Sequence, residues 1–72
     1  MKFTVEIYAP TNDGSEILLH RADVSSITPL GARKKAKLVL LHWQRHGAKR
    51  ARVLNVNAET VFKIDGWIEE RR

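Results

Sequence analysis

The chain has no cysteine. That excludes a disulfide framework and a thiolate zinc site, and it fits a reducing compartment. No apolar run approaches the roughly 20 residues that a membrane span needs. The opening "MKFTVEIYAP" alternates apolar and polar residues, whereas a secretory signal needs an unbroken apolar stretch. Glycines are only four and never cluster, so no loop is built to cradle phosphate. Aromatics make up 7% of the chain, too few for the exposed row that stacks successive bases of a single strand. These absences point to a small cytoplasmic domain, and at 72 residues there is room for one, spanning 1–72.

What is present is a concentrated positive charge. The chain carries a net charge of +5. Residues 31–57 hold Arg33, Lys34, Lys35, Lys37, Arg45, Lys49, Arg50 and Arg52 and not one acid, while the flanking segments are slightly acidic. Such asymmetry favours an anionic partner: nucleic acid, an acidic protein face or a membrane surface.

The elements read in order. "KFTVEIY" alternates with Phe3, Val5 and Ile7 on one side and Thr4, Glu6 and Tyr8 on the other, the pattern of a strand with one buried face. "APTNDGS" is a turn. "EILLHRADV" is a second strand, with a bulge expected near Arg21–Asp23. A helix follows. Thr28 can cap it and Pro29 suits its first position. Gly47 suits the left-handed residue that ends it, giving about 18 residues and about 27 Å. Gly31 weakens its first turn. Two more strands, "RARVLNVN" and "TVFKI", join through a turn at Asn57–Glu59. Asp65-Gly66 suggests a tight hairpin to a short fifth strand, Trp67 to Glu70. The expected fold is α+β: a single antiparallel sheet of four to five short strands in β-β-α-β-β-(β) order, with one α-helix packed on one face.

At 100° per residue, Ala32, Ala36, Val39, Leu40 and Trp43 share one helix face and form the core stripe. The opposite face carries Lys34, Lys37, Gln44 and Arg45 with Leu38 and Leu41. Leucines among cations suit a docking surface better than a face that only needs solvating.

Chemistry finds little purchase. His42 and His46 stand four apart, but the position after the first histidine is Trp43, where a zinc protease carries its glutamate. His20 could add only one more ligand, short of a closed site, so no metal and no cofactor is expected. Ser25 and Ser26 belong to the helix entry, Asp13 and Glu16 to a turn, and Glu69 and Glu70 to a charged end. No enzyme is expected. The residues that point to binding are Lys34, Lys37, Leu38, Leu41, Arg45, Lys49, Arg50 and Arg52, pictured as one strip running from the outer helix face into the third strand. Which side of that strand meets the helix is open.

With its size, its lack of cysteine and its β-β-α-β-β layout, the segment "ARKKAKLVLLHWQRHGAKRARVLNVNAETVFKI" resembles small proteins of phages and other mobile elements. It looks most like the anti-CRISPR proteins that inhibit type I systems, over roughly residues 16–68. The resemblance implies a non-enzymatic inhibitor that docks by its charged face on the surveillance complex, at the groove for guide or target strand. It transfers no individual residue. Two other readings stand beside it. One is direct non-specific DNA or RNA binding by the same strip, with a homodimer through Leu38 and Leu41. The other is a structural or assembly subunit of a homo-oligomer.

Overall fold

In the computed structural model of the chain, residues 1–65 are described. Strand β1 spans Lys2–Pro10, β2 Glu16–Ser25, β3 Arg50–Leu54 and β4 Thr60–Asp65. Helix α1 covers Pro29–Trp43 and passes into a 3-10 turn, Gln44–His46. The sheet order is β2-β1-β3-β4, with every neighbouring pair antiparallel. The expected α+β class is the observed one. The fifth strand expected at Trp67 to Glu70, and the Asp65-Gly66 hairpin before it, lie outside the described residues.

Because β2 and β3 both run antiparallel to β1 and flank it, they are parallel to one another. A link between parallel strands must travel the length of the sheet, and α1 supplies it by crossing one face. The side chains of β1 decide which face. Phe3, Val5, Ile7 and Ala9 are buried, and Ala51 and Val53 of β3 and Ile64 of β4 join them. Against these α1 lays Ala32, Ala36 and Leu40, all at most 1% exposed. The two alanines let the helix backbone approach the sheet, and Leu40 fills the space that opens beyond them. Val39 and Trp43, expected within the core stripe, are half-buried and pack at its margin.

The helix entry follows its sequence cues. Thr28 Oγ1 accepts a hydrogen bond from the Gly31 N–H at 3.1 Å, and Pro29 occupies the first turn. Gly31 is there for space as well. A Cβ at this position would come within 2.2 Å of Ser26 Oγ, which itself donates to the Thr28 carbonyl at 2.8 Å. At the far end Gly47 adopts φ 92, the left-handed conformation foreseen for it. The last three helical residues tighten into 3-10 geometry, so the α-helix proper is 15 residues long, shorter than expected.

The irregularity in β2 falls earlier than expected. His20 pairs with Ile7 and Leu18 with Tyr8, so Leu19 is the extra residue, and Arg21–Asp23 pair regularly with β1. The slip turns His20 towards the helix and Leu18 towards the open face. The β3–β4 turn also begins earlier, at Asn55. Its side-chain carbonyl accepts from the N–H groups of Asn57 and Glu59 at 2.9 and 3.0 Å. Ala58 takes φ 63 there, a left-handed position without glycine.

Candidate functional site: two faces of opposite electrical character

The layered fold splits the basic strip expected from the sequence. Ala51 and Val53 point to the helix, so Arg50, Arg52 and half-exposed Leu54 point to the opposite face of the sheet. Lys34, Lys37 and Arg45 lie on the far side of α1. One continuous surface cannot hold both sets, because the sheet stands between them.

The open sheet face is a network of paired charges. Glu6 is 6% exposed although it faces away from the helix. Its carboxylate receives the Tyr8 hydroxyl at 2.7 Å, Arg21 at 2.9 Å and Arg52 at 3.1 Å. Arg52 also donates to the Tyr8 hydroxyl at 2.6 Å and lies 5.0 Å from the centre of its ring. The Tyr8 hydrogen bond holds the Glu6 carboxyl below the usual carboxylate range against the opposing pull of desolvation, and Arg21 and Arg52 add to the lowering. Arg52 is raised in turn, chiefly by its bond to Tyr8 and with Glu6 contributing. Arg50 pairs with Glu16 at 3.2 Å and Asp65 at 3.1 Å. Thr4 donates to Asp23 at 3.3 Å. The two arginines expected to bind a partner are thus held by acids of the same fold.

The outer face of α1 is different. From Pro29 to His46 the chain has five lysines and arginines and no acid, equal to the net charge of the whole protein. Leu38 is 68% exposed and Leu41 55%, with Leu30 at 62% in the same row. At 100° per residue, Leu30, Lys34, Lys37, Leu38 and Leu41 fall within an arc of about 100°, and Arg45 continues it in the 3-10 turn. Lys34, Lys37 and Arg45 form no ion pair among the described residues. Arg33 and Lys35, at the flanks, are engaged: Arg33 sits over Phe62 at 5.9 Å, and the Lys35 ammonium donates to the Ser25 carbonyl. Lys49 lies in the link to β3, where its N–H donates to the Tyr8 carbonyl at 3.0 Å. Leu30 escapes a reading of the sequence because it stands beside Pro29 and looks like part of the cap. Its place at i, i+8 and i+11 with Leu38 and Leu41 is the signal that could have found it.

The histidines form a third feature. His20 stacks on Trp43, with ring centres 4.8 Å apart and 21° between planes. His46 lies 5.1 Å from the same indole and His42 6.1 Å, edge-on. The switch to 3-10 geometry after Trp43 breaks the α-helical register that would have aimed His42 and His46 together. Among the described residues no group of three or more histidines and acids is arranged around one point. Their rings instead frame the indole, and those of His20 and His42 line a shallow groove between α1 and β2.

No family model matches the chain, and no curated protein or solved structure matches it either. Among the described residues no helix is long and apolar enough to cross a membrane.

Proposed function

We propose that this domain is a non-enzymatic binding module, acting in the cytoplasm, that docks through the outer face of α1 on an acidic surface of a partner protein. The supporting observation is the coincidence, on one helix face, of three exposed leucines with lysines and an arginine that meet no acid among the described residues. Phosphates would satisfy the cations and leave Leu30, Leu38 and Leu41 without a partner. A protein surface with carboxylates around an apolar patch satisfies both. The sheet face argues the same way. With Arg50 and Arg52 held by Glu6, Glu16 and Asp65, fewer cations are left to neutralise a nucleic-acid backbone. Of the stacking candidates, Tyr8 is covered by Arg52, and Phe62 lies against the core under Arg33. Self-association through α1 would set Lys34, Lys37 and Arg45 against their copies, which like-charge repulsion opposes.

The resemblance to type I anti-CRISPR inhibitors makes a surveillance complex, which handles nucleic acid in a protein groove, the first partner to test. Binding of the purified protein to that complex and to random duplex and single-stranded DNA and RNA should be measured across a salt series. The reading requires saturable binding to the complex that is lost when Lys37→Glu and Arg45→Glu are combined. Binding untouched by that double reversal would sink it. Micromolar binding to random nucleic acid with a steep salt slope would transfer the face to phosphate contact.

A further inference from the structure

We infer that the groove between α1 and β2, beside Trp43, is the anchor subsite of this docking face and receives one bulky apolar side chain from an acidic partner segment. The inference rests on the docking face proposed above and adds what the partner must carry. The groove has a volume of about 410 Å³ and is lined by His20, Leu38, Val39, His42 and Trp43. That is towards the small end of the range for ligand sites, about 300–1,000 Å³, and suits a side chain better than a free ligand.

Three features fit it to an anchor. Its walls are apolar or aromatic, and an apolar occupant releases water from both sides. The indole is already held by His20 stacked at 4.8 Å and by His46 at 5.1 Å, so little freedom is left to lose on binding. Finally, Leu38 belongs both to the groove and to the exposed leucine row, so an occupant lies within reach of Lys34, Lys37 and Arg45. Interfaces place most of their energy in such arrangements, an apolar anchor in a pocket with charges at the rim. A nucleobase fits less well. His20 already stacks on the indole, and the groove otherwise presents aliphatic Leu38 and Val39.

The larger cleft, about 520 Å³ on the open sheet face, lacks this character. Its lining includes Lys2, Glu6, Arg21 and Asp23, charges of both signs, and Glu6 and Arg21 are already bonded to one another.

The test uses two synthetic peptides rich in Asp and Glu that differ only at a central residue, Phe in one and Ala in the other. In a Trp67→Phe background Trp43 is the sole tryptophan, and its emission reports occupation of the groove directly. The Phe peptide should bind about tenfold more tightly than the Ala peptide and change Trp43 emission. Val39→Phe, which fills the groove without altering charge, should erase that advantage and leave the Ala peptide unaffected. Leu38→Ala, at an exposed position that folding tolerates, should also reduce it. Lys37→Glu with Arg45→Glu should weaken both peptides. Equal affinity for the two peptides, with Val39→Phe silent, overturns the anchor and leaves the docking face standing. Absence of charge-dependent binding by either peptide overturns both.

Discussion

The carboxylate of Glu6 and the guanidinium of Arg52 meet at 3.1 Å across β1 and β3, although 46 residues separate them in the chain. Glu6 has surrendered most of its water, whereas the Arg21 and Arg52 side chains remain 61% and 37% exposed. Removing the carboxylate leaves two arginines facing one another, but both can rehydrate. Glu6→Ala should therefore destabilise by about 1–2 kcal/mol, below the cost of breaking a fully buried pair. A double-mutant cycle with Arg52→Ala, followed by urea unfolding, should return a favourable coupling of about 0.5–1 kcal/mol. Strict additivity would show that the pair is merely adjacent.

Acid should weaken the fold through two carboxylates. Asp13 is held down to about 2 by the Thr11 hydroxyl and then by the Ser15 hydroxyl and N–H, against an ordinary value of 3.8. Glu6 is also lowered from its ordinary 4.5, chiefly by the Tyr8 hydrogen bond. Both are lower when folded than when unfolded. Each therefore contributes stability that is present above the ordinary value and is lost as pH falls through the folded one. Melting temperature should decline below about pH 4.5. Glu6→Gln and Asp13→Asn should each start lower and decline less steeply. Parallel curves for variants and parent would contradict this origin.

Leu40 is the large side chain by which α1 fills its contact with the sheet, and it is 1% exposed. Leu40→Ala should cost about 3 kcal/mol. A domain of this size holds only about 3–5 kcal/mol in total, so the variant should keep at most about 2 kcal/mol and show a much lowered melting temperature by circular dichroism. Ala36→Leu should also destabilise, by about 1–3 kcal/mol, because the helix cannot back away from β1 and β3 without opening its other contacts.

Two of the left-handed positions, Ala58 and Gly47, should respond in opposite directions. Ala58 sits at φ 63 and Gly47 at φ 92. Ala58→Gly relieves a steric penalty and should raise stability by up to about 1 kcal/mol, partly offset by the freedom glycine adds to the unfolded chain. Gly47→Ala should lower it by about 1 kcal/mol. Thermal melts of the two single variants settle the sign of each.

Charge reversals should separate the two faces. Arg52→Glu places a second carboxylate beside Glu6 and should lower stability by about 2 kcal/mol. Lys37→Glu with Arg45→Glu removes like charges from a helix that has no acid, so stability should hold or rise. Urea unfolding of both variants decides between the faces. Matching losses would mean that the cations of the outer helix face support the fold just as those of the sheet face do.

Much of this molecule could be read along the chain, because its determinants are local. The alternation of Phe3, Val5 and Ile7, the Thr28-Pro29 entry, Gly47 as terminator and the Ala32–Ala36–Leu40 stripe all express short-range geometry. So does the outward placement of Lys34, Leu38, Leu41 and Arg45, with Lys37 half-buried among them. Non-local pairing is where reading stopped. The side of β3 that meets α1 depends on its register with β1, and a shift of one residue would exchange Arg52 for Val53 at the helix. The bulge at Leu19 likewise arises between two strands and not within one.

The sequence by itself determined a small α+β domain with its positive charge centred on one helix, since periodicity and composition act over a few residues. Only the tertiary structure decided that Arg50 and Arg52 are held by Glu6, Glu16 and Asp65. It also brought His20 of β2 onto Trp43 of α1. Those relations come from strands and a helix brought together across tens of residues, and the burial of a common apolar core dictates that meeting.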